Sequence, residues 1–252
     1  MQQLQKVALV TNASDYAGPP AVNALLAAGF RVLAHDERFA NIARWQDFAT
    51  VHVGAEPLVA HSGESLIEAA WSVAGRVDAI VSNDHHPATH VPTPDASLTE
   101  LRESLEVLVE RPFALVRAAI KRLREQGVGN IVMITSCRTR LPMSGGAIPD
   151  AARAAANALV RSFAIELAPL NISVNAIAPN FLYSEAYFPR ALFVDEPRGR
   201  AYVQSTVPVQ RLGHPSEIGE LIAYLATTPS RFLTGSIIDF AGGWPAAQPR
   251  PS

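Results

Sequence analysis

Apolar positions along this chain fall into two alternating patterns: short, mostly aliphatic runs, and longer stretches with helical spacing. The runs are Val7 to Val10, Arg31 to Ala34, Ala79 to Ser82, Asn130 to Thr135, Ser173 to Ala178 and Ser236 to Phe240. Their length and their β-branched or aliphatic content read as buried strands. Between them lie Pro20 to Ala28, Glu64 to Val73, Thr99 to Glu125, Asp150 to Leu167 and Pro215 to Ala226, which are rich in Ala and Leu. Apolar residues recur there with helical periodicity and predict amphipathic helices. Strands alternating with helices imply right-handed βαβ units and a parallel sheet covered on both faces. The expected class is therefore α/β with a doubly wound parallel sheet. Ligands of such sheets bind outside the carboxyl ends of the strands, so the residues just after each run are the informative ones.

Composition narrows the picture further. A 48% hydrophobic content over 252 residues fills one core, and nothing reads as an interdomain linker. One domain is expected over residues 1–245. The closing WPAAQPRPS has no periodicity, and residues 246–252 read as a tail that is extended, frayed or laid on a neighbouring subunit. A net charge of −2 with no Lys/Arg run offers no footprint for nucleic acid or an anionic membrane, so small molecules are the expected partners. The lone Cys137 excludes an internal disulfide and a cysteine-cluster metal site, and suits a reducing compartment. No metal is expected. The N-terminus MQQLQKVALVTNAS lacks a signal-peptide pattern, and no window offers the roughly 20 apolar residues of a membrane span. A cytoplasmic location is the expectation.

The first run is followed by TNASDYAGPP, Thr11 to Pro20. A dinucleotide-binding loop needs small residues here, because the backbone must approach a pyrophosphate closely and the next helix must point its N-terminus at it. In a loop of the form T-G-x-x-x-G-x-G, Asn12 and Tyr16 hold two glycine positions and only Gly18 survives. The Tyr16 ring either fills the space of the phosphates or packs under the loop, and both arrangements disfavour a bound dinucleotide. Asp36 stands where an acidic residue would accept ribose hydroxyls. Without the glycines it reads as a turn or cap residue. No cofactor is expected.

A later strand end carries TSCRTRLPMSGGAIPDAARAAANAL, in which Ser136 is followed thirteen residues on by Pro149 and four further by Arg153. These residues, the altered loop, SND at Ser82 to Asp84, NAIAPN at Asn175 to Asn180 and GSIIDFAGGW near the end resemble the short-chain dehydrogenase/reductase superfamily over essentially the whole chain. The departures resemble one subgroup, the halohydrin dehalogenases. They are a glycine loop ending in an aromatic, Arg rather than Lys at 153, and APNFL where the superfamily has Pro-Gly; VSND, RPFALV and QRLG are further matches.

That resemblance implies a Rossmann-like fold whose cofactor site has become a halide pocket. It implies a reversible displacement that converts a vicinal haloalcohol to an epoxide and halide, and epoxide opening by small anions such as azide, cyanide or nitrite. Ser136 would donate a hydrogen bond to the substrate oxygen, and Arg153 would tune the site by its charge. Tyr16, Pro179, Asn180, Phe181 and Leu182 would line the anion pocket, with Asn83, Met143 and Tyr187 also on the anion and substrate side. A homo-tetramer with two-fold axes is implied, assembled through Thr99 to Glu125, Asp150 to Leu167 and the terminal strand.

In the family a tyrosine stands at the position of Pro149 and exchanges a proton with the substrate; proline has no titratable group. Pro149 suits the first turn of a helix, where its missing N–H has no intrahelical acceptor. Asp150 complements the helix dipole and is expected to pair with Arg153, three residues on. Arg153 should still reach the cleft, and Pro149 should leave a void beside it. The candidate substitute bases are Tyr187 in LYSEAYFPR, on a loop that also carries Tyr183, and His85 and His86, which follow Asp84 at a strand end. Histidine has the intrinsic pKa for the task, although a loop histidine is commonly only solvated. Asp150 is a poorer base, because a helix N-terminus and a neighbouring Arg favour its ionised form. Leu108 stands where the dehydrogenases carry a proton-relaying asparagine, and it cannot relay. The expected function is a cofactor-independent lyase of the halohydrin dehalogenase type. The alternatives are a related lyase, dehydratase or isomerase, a catalytically silent binding protein and, as third choice, an NAD(P)-dependent oxidoreductase.

Overall fold

A computed structural model describes residues 5–87 and 90–246. Its centre is one sheet of seven strands: β1 (Val7–Val10), β2 (Arg31–His35), β3 (Ala55–Leu58), β4 (Ala79–Ser82), β5 (Gly129–Ile134), β6 (Ile172–Pro179) and β7 (Ile237–Phe240). They lie in the order β3-β2-β1-β4-β5-β6-β7, and every pairing is parallel. Six strands follow the aliphatic runs. β3 had no such signal: AEPL is short and carries Pro57, which an edge strand tolerates because one row of its N–H groups has no ladder partner. Residues 247–252 of the expected tail lie outside the described residues.

Successive side chains of a strand point to opposite faces, and the core divides accordingly. Val7, Leu9, Leu33, Ile80, Ile131 and Met133 face helices α3 (Gly63–Ala74), α5 (Arg111–Gln126) and α6 (Ala147–Leu167), against Leu66, Val116, Leu123, Val160 and Phe163. Ala8, Val10, Val32, Val81, Val132 and Ile177 face α1 (Gly18–Ala27), α2 (Ile42–Val51) and α8 (Pro215–Thr227), against Val22, Leu25, Phe48, Ile218 and Ile222. The sheet is thus doubly wound in one domain, as the pattern predicts.

Two expected helices differ in detail. The stretch from Thr99 to Glu125 is not one regular helix: α4 (Leu98–Leu105) passes through a π turn at Glu106–Glu110 into α5. Pro112, in the first turn of α5, has no N–H for the ladder, and the wider turn accommodates it. The helix expected from Asp150 begins three residues earlier, at Ala147, and Pro149 lies within its first turn, the position that suits a proline. A further helix, α7 (Pro197–Thr206), follows the loop after β6. Among the described residues no helix is long and apolar enough to cross a membrane, and no cluster of His, Cys, Asp or Glu is placed to hold a metal ion.

Candidate active site

The carboxyl ends of β1, β4, β5 and β6 open onto a cavity of about 650 Å³. Thr135 and Ser136 reach it directly after β5, Pro149 and Arg153 from the start of α6, and Pro179 to Leu182 from the end of β6. Ser136 is held on the backbone: its Oγ donates to the Pro179 carbonyl at 3.2 Å and accepts from the Arg138 N–H at 3.2 Å. Asn157 Nδ2 donates to the Ser136 carbonyl at 3.0 Å. The serine is therefore fixed by three elements at the mouth of the sheet.

Arg153 is only 5% exposed, and among the described residues it makes no ion pair. Its guanidinium donates to two neutral oxygens, Thr135 O at 3.4 Å and Tyr187 Oη at 2.9 Å. The expected Asp150–Arg153 pair does not form. Asp150 is taken by Arg138, whose Nε donates to Oδ1 at 2.5 Å. An i,i+3 pair on one helix lost to a partner arriving from the turn after β5, and Arg153 was left free to point inward. The Pro149 ring forms part of the cavity wall, so the space that a larger residue would occupy opens onto Arg153.

Tyr187 comes from the loop after β6. A turn in which its N–H donates to Ser184 Oγ at 3.3 Å presents the ring inward. There it packs on Tyr16 with centroids 5.0 Å apart, and Tyr16 packs on His85 at 5.3 Å. Burial raises the Tyr187 phenol above its ordinary range, and the Arg153 guanidinium opposes that shift. Burial also raises the Tyr16 phenol. His85 is pushed down by burial, against the pull of the Asp15 carboxylate 3.7 Å away. Tyr183 lies apart, donating to Glu185 at 2.7 Å.

The structure brings Tyr16, Met143, Pro179, Asn180, Phe181, Leu182 and Tyr187 onto the cavity, with His86 beside them. Asn83 is the exception. It is wholly buried behind the loop after β1, where its Nδ2 donates to the carbonyls of Asn12 and Asp15 at 3.0 and 2.9 Å. It shapes the loop and does not touch the cavity. His85 likewise stands behind Tyr16 rather than on the cavity wall. Thr135, Arg138, Phe193, Tyr202 and Trp244 also stand on the wall, although none was expected there from the sequence. Three of them had a signal: Thr135 and Arg138 lie in the stretch that carries Ser136, and Trp244 ends the GSIIDFAGGW stretch at the carboxyl end of β7.

A second cavity of about 260 Å³ opens over β1, β2 and β4, lined by Asn12, His35, Asp36, His61, Asp84 and Arg111 among others. The two linings share no residue. Asp36 is a cap, accepting from the Arg38 N–H at 3.0 Å and from Ser14 Oγ at 2.7 Å. Asn12 and Tyr16 both adopt positive φ, at 47° and 50°, as does Phe181 at 54°. That region suits glycine, so the chain keeps the backbone of a glycine loop while filling it with side chains.

A family model described as enoyl-(acyl carrier protein) reductase matches residues 22–245. Human dehydrogenase/reductase SDR family member 4 is 27% identical over 96% of this chain and 88% of its own length. A tropinone reductase homolog of Arabidopsis thaliana is 30% identical over 95% and 92%. Among solved structures, a halohydrin dehalogenase bound to ethyl (2S)-oxiran-2-ylacetate superposes with a TM-score of 0.93 and 34% identity, covering 98% of this chain and 100% of that one. A structure described as a dehalogenation enzyme gives 0.92 and 34%, with 97% and 100% covered.

Proposed function

The chain belongs to the short-chain dehydrogenase/reductase family, and from that premise we propose that it is a cofactor-independent lyase that interconverts vicinal haloalcohols and epoxides and opens epoxides with small anions. One observation carries this reading: Arg153 is a buried cation with no carboxylate partner among the described residues, facing the same cavity as Ser136. An unpaired buried guanidinium is costly, and an anion or a developing alkoxide in the cavity offsets that cost. Ser136 turns its hydroxyl from the Pro179 carbonyl to the substrate oxygen. Pro179, Asn180, Phe181 and Leu182 form the wall on which the small anion sits.

The family's usual dinucleotide does not fit the residues present. Tyr16 lines the larger cavity while Asn12, in the same loop, lines the smaller one, and the Tyr16 ring packs on both His85 and Tyr187. A dinucleotide spanning both cavities would have to displace that packing. A second reading, an NAD(P)-dependent oxidoreductase, is favoured by the curated relatives and by the smaller cavity beside Asp36. The chain is further read as a cytoplasmic homo-tetramer.

The test is halide release from a panel of vicinal haloalcohols, with and without nicotinamide cofactor, beside calorimetry with NAD(H) and NADP(H). Turnover that ignores the cofactor, and that falls by about 10²-fold in Ser136→Ala and Arg153→Ala, is expected. A micromolar Kd for either cofactor together with carbonyl reduction would overturn the lyase and establish the oxidoreductase.

A further inference from the structure

Helix α6 offers no phenol to the substrate, yet a phenol lies beside Arg153. Tyr187 Oη is 2.9 Å from Arg153 Nη2, on the wall of the cavity that Ser136 also lines. The ring is held from three sides: by its own turn at Ser184, by Tyr16 from the loop after β1, and by the His85–His86 segment after β4. The geometry points to Tyr187 as the catalytic acid/base of this site, a phenol supplied by the loop after β6 and directed by the arginine of α6. This rests on the lyase reading above and names its proton-carrying group.

The chemistry balances without a further reagent. In epoxide opening, an external anion forms a bond to one ring carbon as the C–O bond breaks, and the oxygen takes the Tyr187 proton while Ser136 donates a hydrogen bond to it. The phenolate left behind is stabilised by Arg153 and regains a proton from solvent. In the reverse direction the haloalcohol hydroxyl gives its proton to the phenolate, the oxygen closes on the neighbouring carbon and halide leaves. The groups that face Tyr187 are Arg153, Tyr16, His85, His86 and, at longer range, Asp15. Burial outweighs the arginine and keeps the phenol protonated through neutral pH. The resting site is therefore set as a proton donor, the form that ring opening uses.

The experiment follows azide opening of an aryl-substituted terminal epoxide, a shape that the aromatic wall of Phe181, Phe193 and Trp244 accommodates. Tyr187→Phe keeps the ring and its packing but removes the proton, and is expected to lose about 10²-fold or more in kcat with KM little changed. Tyr183→Phe, on the same loop and outside the cavity, is the control and should behave as wild type. A fluorinated tyrosine placed at 187, with its more acidic phenol, is expected to bring a decline in opening rate down into the mildly alkaline range, where the wild type stays flat. A purely structural role for Tyr187 would leave that profile unmoved. Wild-type turnover with Tyr187→Phe within twofold of it, or an unshifted profile, overturns this assignment alone; wild type inert towards both epoxides and haloalcohols overturns the lyase reading with it.

Discussion

Asp84 shows how a single side chain can stand against the fold that holds it. It is 8% exposed, accepts from Ser82 Oγ at 2.5 Å, and its carboxyl is pushed up to about 6 by burial from an ordinary value of 3.8. Because the folded state holds this proton more tightly than the unfolded chain, its contribution is fully favourable below about pH 4 and is lost as pH rises through about 6. Asp84→Asn is therefore expected to stabilise the protein at pH 7 to 8 by up to about 3 kcal/mol and to change little below about pH 4. Denaturant unfolding at the two pH values checks this, and equal effects at both would refute it. Ser136 and Arg153 were legible from spacing, because a strand end and an i,i+4 helix position fix where their backbones stand. The partners of Asp150 and Arg153 were not, since they arrive from the turn after β5 and the loop after β6.

At the scale of elements, helix contacts depend on a few glycines that no periodicity marks. Gly219 on α8 faces α1, and a Cβ there would meet the Pro20 carbonyl oxygen at 2.7 Å and Ala24 Cβ at 3.3 Å. Both helices cover the same face of the sheet, so Gly219→Ala must push one from the other. A loss of about 1–3 kcal/mol is expected, with activity per folded molecule kept because the cavity lies elsewhere. An unchanged denaturation midpoint would sink that argument. The aliphatic runs and Ala/Leu stretches located most of the core elements. α2 and α7 escaped because each is a ten-residue helix that buries little, Phe48 in the first and Gly199 and Val203 in the second.

For the whole molecule, the outer surface carries a prediction about assembly. Ile165 on α6 is 79% exposed, and Leu98, Phe113 and, before β7, Phe232 also meet solvent, on or beside the elements expected to join copies of this chain. Large apolar side chains exposed on such elements suit burial against a second copy. Light scattering should report about four times the 27.0 kDa chain mass, and a mass of one chain would exclude the tetramer. By itself the sequence determined six of the seven strands, the doubly wound class and the strand ends where chemistry sits, because those follow from periodicity and from backbone positions a few residues apart. It also determined which glycines of the first loop are missing. Only the tertiary structure decided that Asn83 turns inward behind the loop, that Arg138 takes Asp150, and that Tyr187 fills the place beside Arg153. Each of those outcomes is a competition between side chains distant in sequence, settled by burial and by which donor or acceptor reaches a partner first.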